Sequence, residues 1–186
     1  MILFINACVR KQSRTIRLAK KLLNTFDGEI KEVKLEEIKF PTVNEEFLNQ
    51  RDFLIRENRF DDSMFDLGRD FAAADTIVIA APYYDLSFPA MLKQYFEQIN
   101  VVGLTFMYTE AGVPKSLCKA KDLYYITTAG GPIVSDDFGF GYIKALANNF
   151  YGIENVLQIK AEGLDIVGAD VTAKLNEVNI FSKESE

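Results

Sequence analysis

The chain has 186 residues, 48% hydrophobic and 26% charged, which suits one domain (residues 1–186) with a substantial core. A net charge of −6, a pI near 4.9 and no long block of like charge disfavour nucleic acid and anionic membrane surfaces as partners. The absence of histidine removes Ser-His-Asp and Cys-His catalysis and every His-ligated metal site. No metal is expected, and if the protein is an enzyme a bound cofactor is expected to supply its chemistry.

The chain opens on strand-like residues rather than on a basic segment followed by a long apolar one. No run approaches the roughly 18 apolar residues of a membrane span, so a cytoplasmic location is expected. Cys8 and Cys118 lie far apart without C-x-x-C spacing, and each reads as a small buried residue rather than a redox dithiol or zinc ligand.

Residues 1–7 (MILFINA) predict a buried strand. From Thr15 to Phe26, Ala19, Leu22, Leu23 and Phe26 fall on one helical face, and Asp27-Gly28 ends the helix. Residues 29–36 (EIKEVKLE) alternate polar and apolar, as a strand near a sheet edge does. The polar, aromatic-rich stretch from Lys39 to Arg59 reads as loop and then a short helix around Glu45 to Glu57. Asp61-Asp62-Ser63 supplies capping oxygens for a helix over Met64 to Ala74, and TIVIAAP (76–82) has the continuous apolar, β-branched character of a central parallel strand. A further helix is predicted from Ala90 to Val101, with Leu92, Tyr95, Phe96 and Ile99 on one face and Pro89 tolerated in its first turn. Residues 103–117 read as an excursion, DLYYITTA (122–129) as a strand, and Gly130-Gly131-Pro132 as its break. A helix from Gly139 to Phe150, with Gly152 past its end, a strand from Val156 to Ala161 and a helix from Val171 to Phe181 complete the chain.

Strands and helices alternate about five times without a linker or an internal repeat, which predicts a doubly wound, three-layer α/β/α domain. In the five-stranded parallel form of order 2-1-3-4-5, the ligand crevice lies outside the carboxyl ends of strands 1 and 3, where strand order reverses. The chain's unusual loops follow strands 1, 3 and 4.

After strand 1, VRKQSRT (9–15) carries the cluster Arg10, Lys11 and Arg14, and the Ser13 and Thr15 hydroxyls, at the positive end of a helix. Neither G-x-G-x-x-G nor G-x-x-x-x-G-K-[ST] occurs, so a single terminal phosphate fits better than a pyrophosphate. The bland alternative is that Ser13 only caps the helix and the cations are solvated. After strand 3, Pro82 to Pro89 (PYYDLSFP) offers two aromatics and backbone amides to a planar ring; the alternative is a packed tyrosine pair with Asp85 or Ser87 capping the next helix. After strand 4, Thr127-Thr128-Ala129-Gly130-Gly131 allows close backbone approach to a ligand edge, or is a plain turn. A monophosphate site, an aromatic platform and a glycine edge at adjoining strand ends together suggest flavin mononucleotide (FMN).

The segment PYYDLSFPAMLKQYFEQINVVGLTFMYTEAGVPKSL (Pro82 to Leu117) resembles the P-x-Y-N-F-x-x-P-x-x-L-K and G-x-T-F-x-Y-T-x-x-G segments of flavodoxin-like FMN-dependent NADH:azoreductases and related NAD(P)H quinone oxidoreductases. The resemblance implies that Arg10, Ser13 and Thr15 contact the FMN phosphate. It implies that Pro82, Tyr83, Tyr84, Asp85 and Leu86 border the isoalloxazine, with Thr128, Gly130 and Gly131 along its edge. Asp85 stands where that family has asparagine, Leu86 replaces an aromatic residue, and Ala129 stands where arginine or histidine is common. The resemblance further implies a homodimer with FMN near the interface, NADH or NADPH as donor, and a small-molecule acceptor: a quinone, azo compound or nitroaromatic. Hydride would pass from the nicotinamide through flavin N5 to that acceptor, without a protein acid or nucleophile. Tyr84, Phe106 and Tyr108 are candidates for the acceptor pocket, with core or dimer packing as the alternative for the last two. The competing function is a flavodoxin-type electron carrier docking a basic redox partner; a third is a flavin-free binding protein.

Overall fold

A computed structural model describes residues 1–180. Its centre is a five-stranded sheet of order β2-β1-β3-β6-β7, with β1 Ile2–Asn6, β2 Ile30–Lys34, β3 Thr76–Ala80, β6 Asp122–Thr128 and β7 Asn155–Ala161. Every pairing in it is parallel. In strand order along the chain this is the 2-1-3-4-5 arrangement, with a small extra hairpin, β4 Phe106–Tyr108 and β5 Pro114–Ser116, inside the excursion after β3.

Register decides which side chains meet which layer, because successive strand residues point to opposite faces. Leu3, Ile5, Ile77, Ile79, Leu123 and Tyr125 pack on the face covered by α4 (Ala90–Ile99) and α5 (Phe140–Leu146). Ile2, Phe4, Val78, Ala80, Tyr124 and Ile126 pack on the other face, against α1 (Arg14–Leu23) and α6 (Val171–Glu177). The central strands β1, β3 and β6 are buried on both faces, which is why their sequences are apolar runs. In β2 only Val33 is buried, as the polar alternation of an edge strand predicts.

Helix ends move by a few residues from their predicted places, for local reasons. α1 starts at Arg14 because the Ser13 hydroxyl accepts a hydrogen bond from the Ile16 amide, and it ends at Leu23. Phe26 lies beyond it yet still packs inward, edge-on to Tyr124 with ring centroids 5.6 Å apart. α2 (Glu45–Arg56) is capped by Asn44 and buries Leu54 alone. The Asp62 carboxylate caps a 3-10 turn at 63–65 that leads into α3 (Asp66–Ala73). α4 ends at Ile99, and α5 passes into a wider π-helical turn (147–151) closed by Gly152 in the left-handed region, φ 61°. The last helix, expected to run from Val171 to Phe181, ends at Glu177 with Val178 extended; Phe181 itself lies outside the described residues.

Candidate functional site

The carboxyl ends of β1, β3 and β6 open into a cleft of about 1060 Å³, at the top of the range of roughly 300–1,000 Å³ typical of small-molecule sites. The loop after β1 forms one wall, with residues Cys8 to Thr15 and Arg17; Pro82, Tyr83 and Tyr84 form a second, and Thr128, Ala129 and Gly130 a third. Strand order reverses between β1 and β3, so the backbone loops leaving them diverge and leave this space.

At the first wall, Arg10, Lys11, Arg14 and Arg17 gather around the start of α1. Ser13 does cap the helix, but it does so as an acceptor from the Ile16 amide at 3.2 Å, which leaves its own O–H free to donate. The capping and anion-binding readings of Ser13 are therefore compatible. Thr15 behaves differently: it is buried, and its hydroxyl pairs with that of Thr128 at 2.7 Å. This bond ties the first turn of α1 to the end of β6. Cys8, also in the cleft wall, is held up at about 11 by burial, with Ser13 and Thr15 hydroxyls pulling the other way. At neutral pH it is a thiol, not a nucleophile.

At the second wall the chain reverses sharply. Tyr84 and Ser87 exchange backbone hydrogen bonds at 3.0 and 2.8 Å, and the two residues between them, Asp85 and Leu86, both sit in the left-handed region with φ of 51° and 67°. That pair of positive φ angles is what a type I′ reversal demands, and it is unfavourable for leucine. The expected cap does not form: α4 has no side-chain cap, and the Ser87 hydroxyl instead donates to the Phe138 carbonyl at 2.6 Å. Tyr83 and Tyr125 carry buried phenol oxygens, and Thr127 a buried hydroxyl oxygen, without a hydrogen-bond partner among the described residues. Burial pushes the Tyr125 phenol up, and its surroundings include Thr127, Asp136, Cys8 and Tyr83.

Eight of the residues singled out in the sequence for the cofactor lining meet at the cleft: Arg10, Ser13, Thr15, Pro82, Tyr83, Tyr84, Thr128 and Gly130. Asp85 and Leu86 lie at the exposed tip of the reversal, and Gly131 lies one residue past the lining. Phe106 and Tyr108 are placed elsewhere, in the hairpin. Phe106 is buried edge-on against Phe150 at 4.7 Å, which is the core-packing alternative, while Tyr108 is half exposed.

Arg17, Val171 and Asp165 were not anticipated in the lining, and Asp165 matters most. Asp165, in the loop after β7, reaches Arg14 with an Oδ1–guanidinium distance of 2.6 Å. It also lies against Gly130: a Cβ there would stand 2.1 Å from Asp165 Oδ2 and would push this exposed carboxylate aside, so the close approach seen at this glycine is made by a side chain of the protein itself. The signal was the polar turn after the fifth strand, whose carboxyl end adjoins that of β6.

The donor set fits FMN. Four cations and a free hydroxyl at a helix start suit a phosphate monoester, and Tyr83, whose phenol has no hydrogen-bond partner among the described residues, together with the backbone of Thr128 to Gly130 suits a flat, polar-rimmed ring.

Comparison with known proteins gives a consistent picture. A family model described as a flavodoxin-like fold matches residues 1–179. An FMN-dependent NADH:quinone oxidoreductase of Lachnoclostridium phytofermentans is 32% identical over 185 residues, covering 95% of this chain and 92% of the relative. One of the same name from Coprothermobacter proteolyticus is 33% identical, covering 95% and 90%. Among solved structures, an FMN-dependent NADH-azoreductase from Bacillus anthracis in complex with FMN superposes with a TM-score of 0.75 at 24% identity, covering 94% of this chain and 92% of that one.

Proposed function

Since the chain belongs to the flavodoxin-like fold family, we propose that it is an FMN-dependent NADH:quinone oxidoreductase that also reduces azo and nitroaromatic acceptors, working as one FMN-binding domain over residues 1–186. The observation that carries this reading is the meeting, in one cleft, of the cationic start of α1 with the Pro82–Tyr84 and Thr128–Gly130 walls. Bound FMN would supply the hydride relay between the nicotinamide and the acceptor.

The protein's own residues then bind, orient and exclude water. Arg10 and Ser13 hold the phosphate, Arg10 by charge and Ser13 through the O–H that capping leaves free. Thr15 acts from beneath, fixing the helix start to Thr128. Pro82, Tyr83 and Tyr84 border the isoalloxazine, with Asp85 and Leu86 at the tip of the reversal and Thr128, Gly130 and Gly131 along the ring edge. Tyr84, exposed at the cleft mouth, shapes the acceptor side. NADH is the donor, as in the relatives' names, and NADPH serves in the same position.

Association into a homodimer is supported by the apolar side chains that the hairpin leaves exposed, Met107, Tyr108 and Val113. Through that interface Phe106 and Tyr108 would approach the acceptor pocket. A cytoplasmic setting accords with two free cysteines, and no helix among the described residues is long and apolar enough to cross a membrane.

The test is anaerobic mixing of FMN-loaded protein with NADH, then with a quinone. Loss of the yellow flavin colour within seconds and its return on adding quinone are expected. A yellow solution that NADH leaves unchanged would instead place the protein among electron carriers.

A further inference from the structure

We propose that Asp165 is an internal competitor for the cofactor phosphate: it holds Arg14 across the cleft, and the phosphate monoester enters by exchanging places with that carboxylate. The proposal rests on the FMN reading above and assigns a role to a residue on the opposite wall from the phosphate loop.

The geometry is specific. Asp165 sits on a loop whose backbone is laced to the end of β6: the amides of Gly163, Leu164 and Asp165 donate to the carbonyls of Gly131, Ala129 and Gly130 at 2.9, 3.2 and 2.9 Å. Its side chain lies against Gly130, where a Cβ would push the carboxylate out of this position. From there Oδ1 meets Arg14 Nη1 at 2.6 Å, and Arg14 is the first residue of α1. The ion pair therefore runs between two walls of the cleft that a flavin phosphate and its chain have to share.

Charge makes the exchange directional. Of the four cations at this end, Arg10, Lys11 and Arg17 make no ion pair among the described residues; Arg14 alone is neutralised. A phosphate monoester near neutral pH carries close to two negative charges and three acceptor oxygens, against one charge on the carboxylate, so it wins the guanidinium. A ligand without phosphate leaves the pair closed. The carboxylate is 66% exposed, so it can swing to solvent once displaced, and breaking so exposed a pair costs little. Asp165 thus lowers affinity for phosphorylated ligands modestly while leaving neutral ones untouched.

Titration of purified protein with FMN and, separately, with riboflavin tests this in the wild type, Asp165→Asn, Arg14→Ala and the double variant. Asp165→Asn is expected to tighten FMN by roughly two- to fivefold, the range of an exposed ion pair, and to leave riboflavin unchanged. On the Arg14→Ala background the same substitution is expected to have no effect on FMN. Unchanged or weaker FMN binding by Asp165→Asn overturns the proposal, as does an equal gain with riboflavin. A gain that persists without Arg14 overturns it too, since that would be plain repulsion rather than exchange. Wild-type protein that binds FMN while failing these contrasts sinks only the role of Asp165; wild-type protein that takes up neither flavin removes the cofactor reading and this proposal together.

Discussion

The two ends of the cleft are built on opposite plans. The end at the start of α1 works by mobile charge: four long cationic side chains, one of them tied to a carboxylate on the far wall, and a serine with a proton to give. The end at β3 and β6 works by backbone shape: a two-residue reversal in the left-handed region, a glycine edge against which Asp165 lies, and the buried phenols of Tyr83 and Tyr125. Charge on exposed side chains is screened by salt and altered by single substitutions, whereas a left-handed turn is held by the chain around it. Affinity should therefore respond to side-chain changes at the first end and to conformational changes at the second.

The largest expected effect breaks the charged end alone. Arg10→Ala combined with Ser13→Ala should weaken FMN by about 2–4 kcal/mol, two bonds to a charged group at roughly 1.5–3 each less their non-additivity, and leave riboflavin nearly untouched. Loss of the Ser13 cap adds about 1 kcal/mol of instability, read separately by urea unfolding. Parallel losses for FMN and riboflavin would show that the two ends do not divide the work. Alkaline pH gives a second contrast. The Cys8 thiol rises from 9.0 to about 11 on folding, so the native state favours its protonated form. That contribution is complete below pH 9 and is lost as pH climbs from 9 to about 11, amounting to roughly 2–3 kcal/mol at 1.36 kcal/mol per pK unit. Cys8→Ala should flatten that part of the unfolding free energy against pH, and an unchanged slope would mean that the thiol is not buried in solution.

The division between the ends also explains what could be read in the chain. The apolar runs of β1, β3 and β6 and the alternation of β2 are direct records of burial on two faces or one, so central and edge strands could be told apart, and once the order 2-1-3-4-5 was adopted the topology rule located the cleft. The Arg10–Thr15 cluster was visible because cations and hydroxyls are conspicuous in an acidic protein. What Thr15 and Ser87 bond to was not visible, since both partners, Thr128 and the Phe138 carbonyl, are distant in sequence. Asp165 escaped for the same reason: an aspartate in a polar turn looks solvated until Arg14 and Gly130 are brought beside it. The β4–β5 hairpin carries only three residues per strand, too few for alternation to declare itself.

The smallest effect sharpens the comparison at the shape-based end. Leu86 has φ 67° and is 45% exposed, so its backbone is strained while its side chain is only partly covered. The left-handed region costs an L-residue about 1–2 kcal/mol relative to glycine, and glycine returns roughly 0.5–1 of that through the entropy of the unfolded chain. Leu86→Gly should therefore stabilise the protein by up to about 1.5 kcal/mol in urea unfolding, an unusual sign for removing a large apolar residue. Because the reversal keeps its hydrogen bonds between Tyr84 and Ser87, FMN and riboflavin affinities should both stay within about twofold. Destabilisation by Leu86→Gly would mean that the leucine side chain is covered in the working protein, which is the outcome expected if the reversal tip is packed against a second copy of the chain.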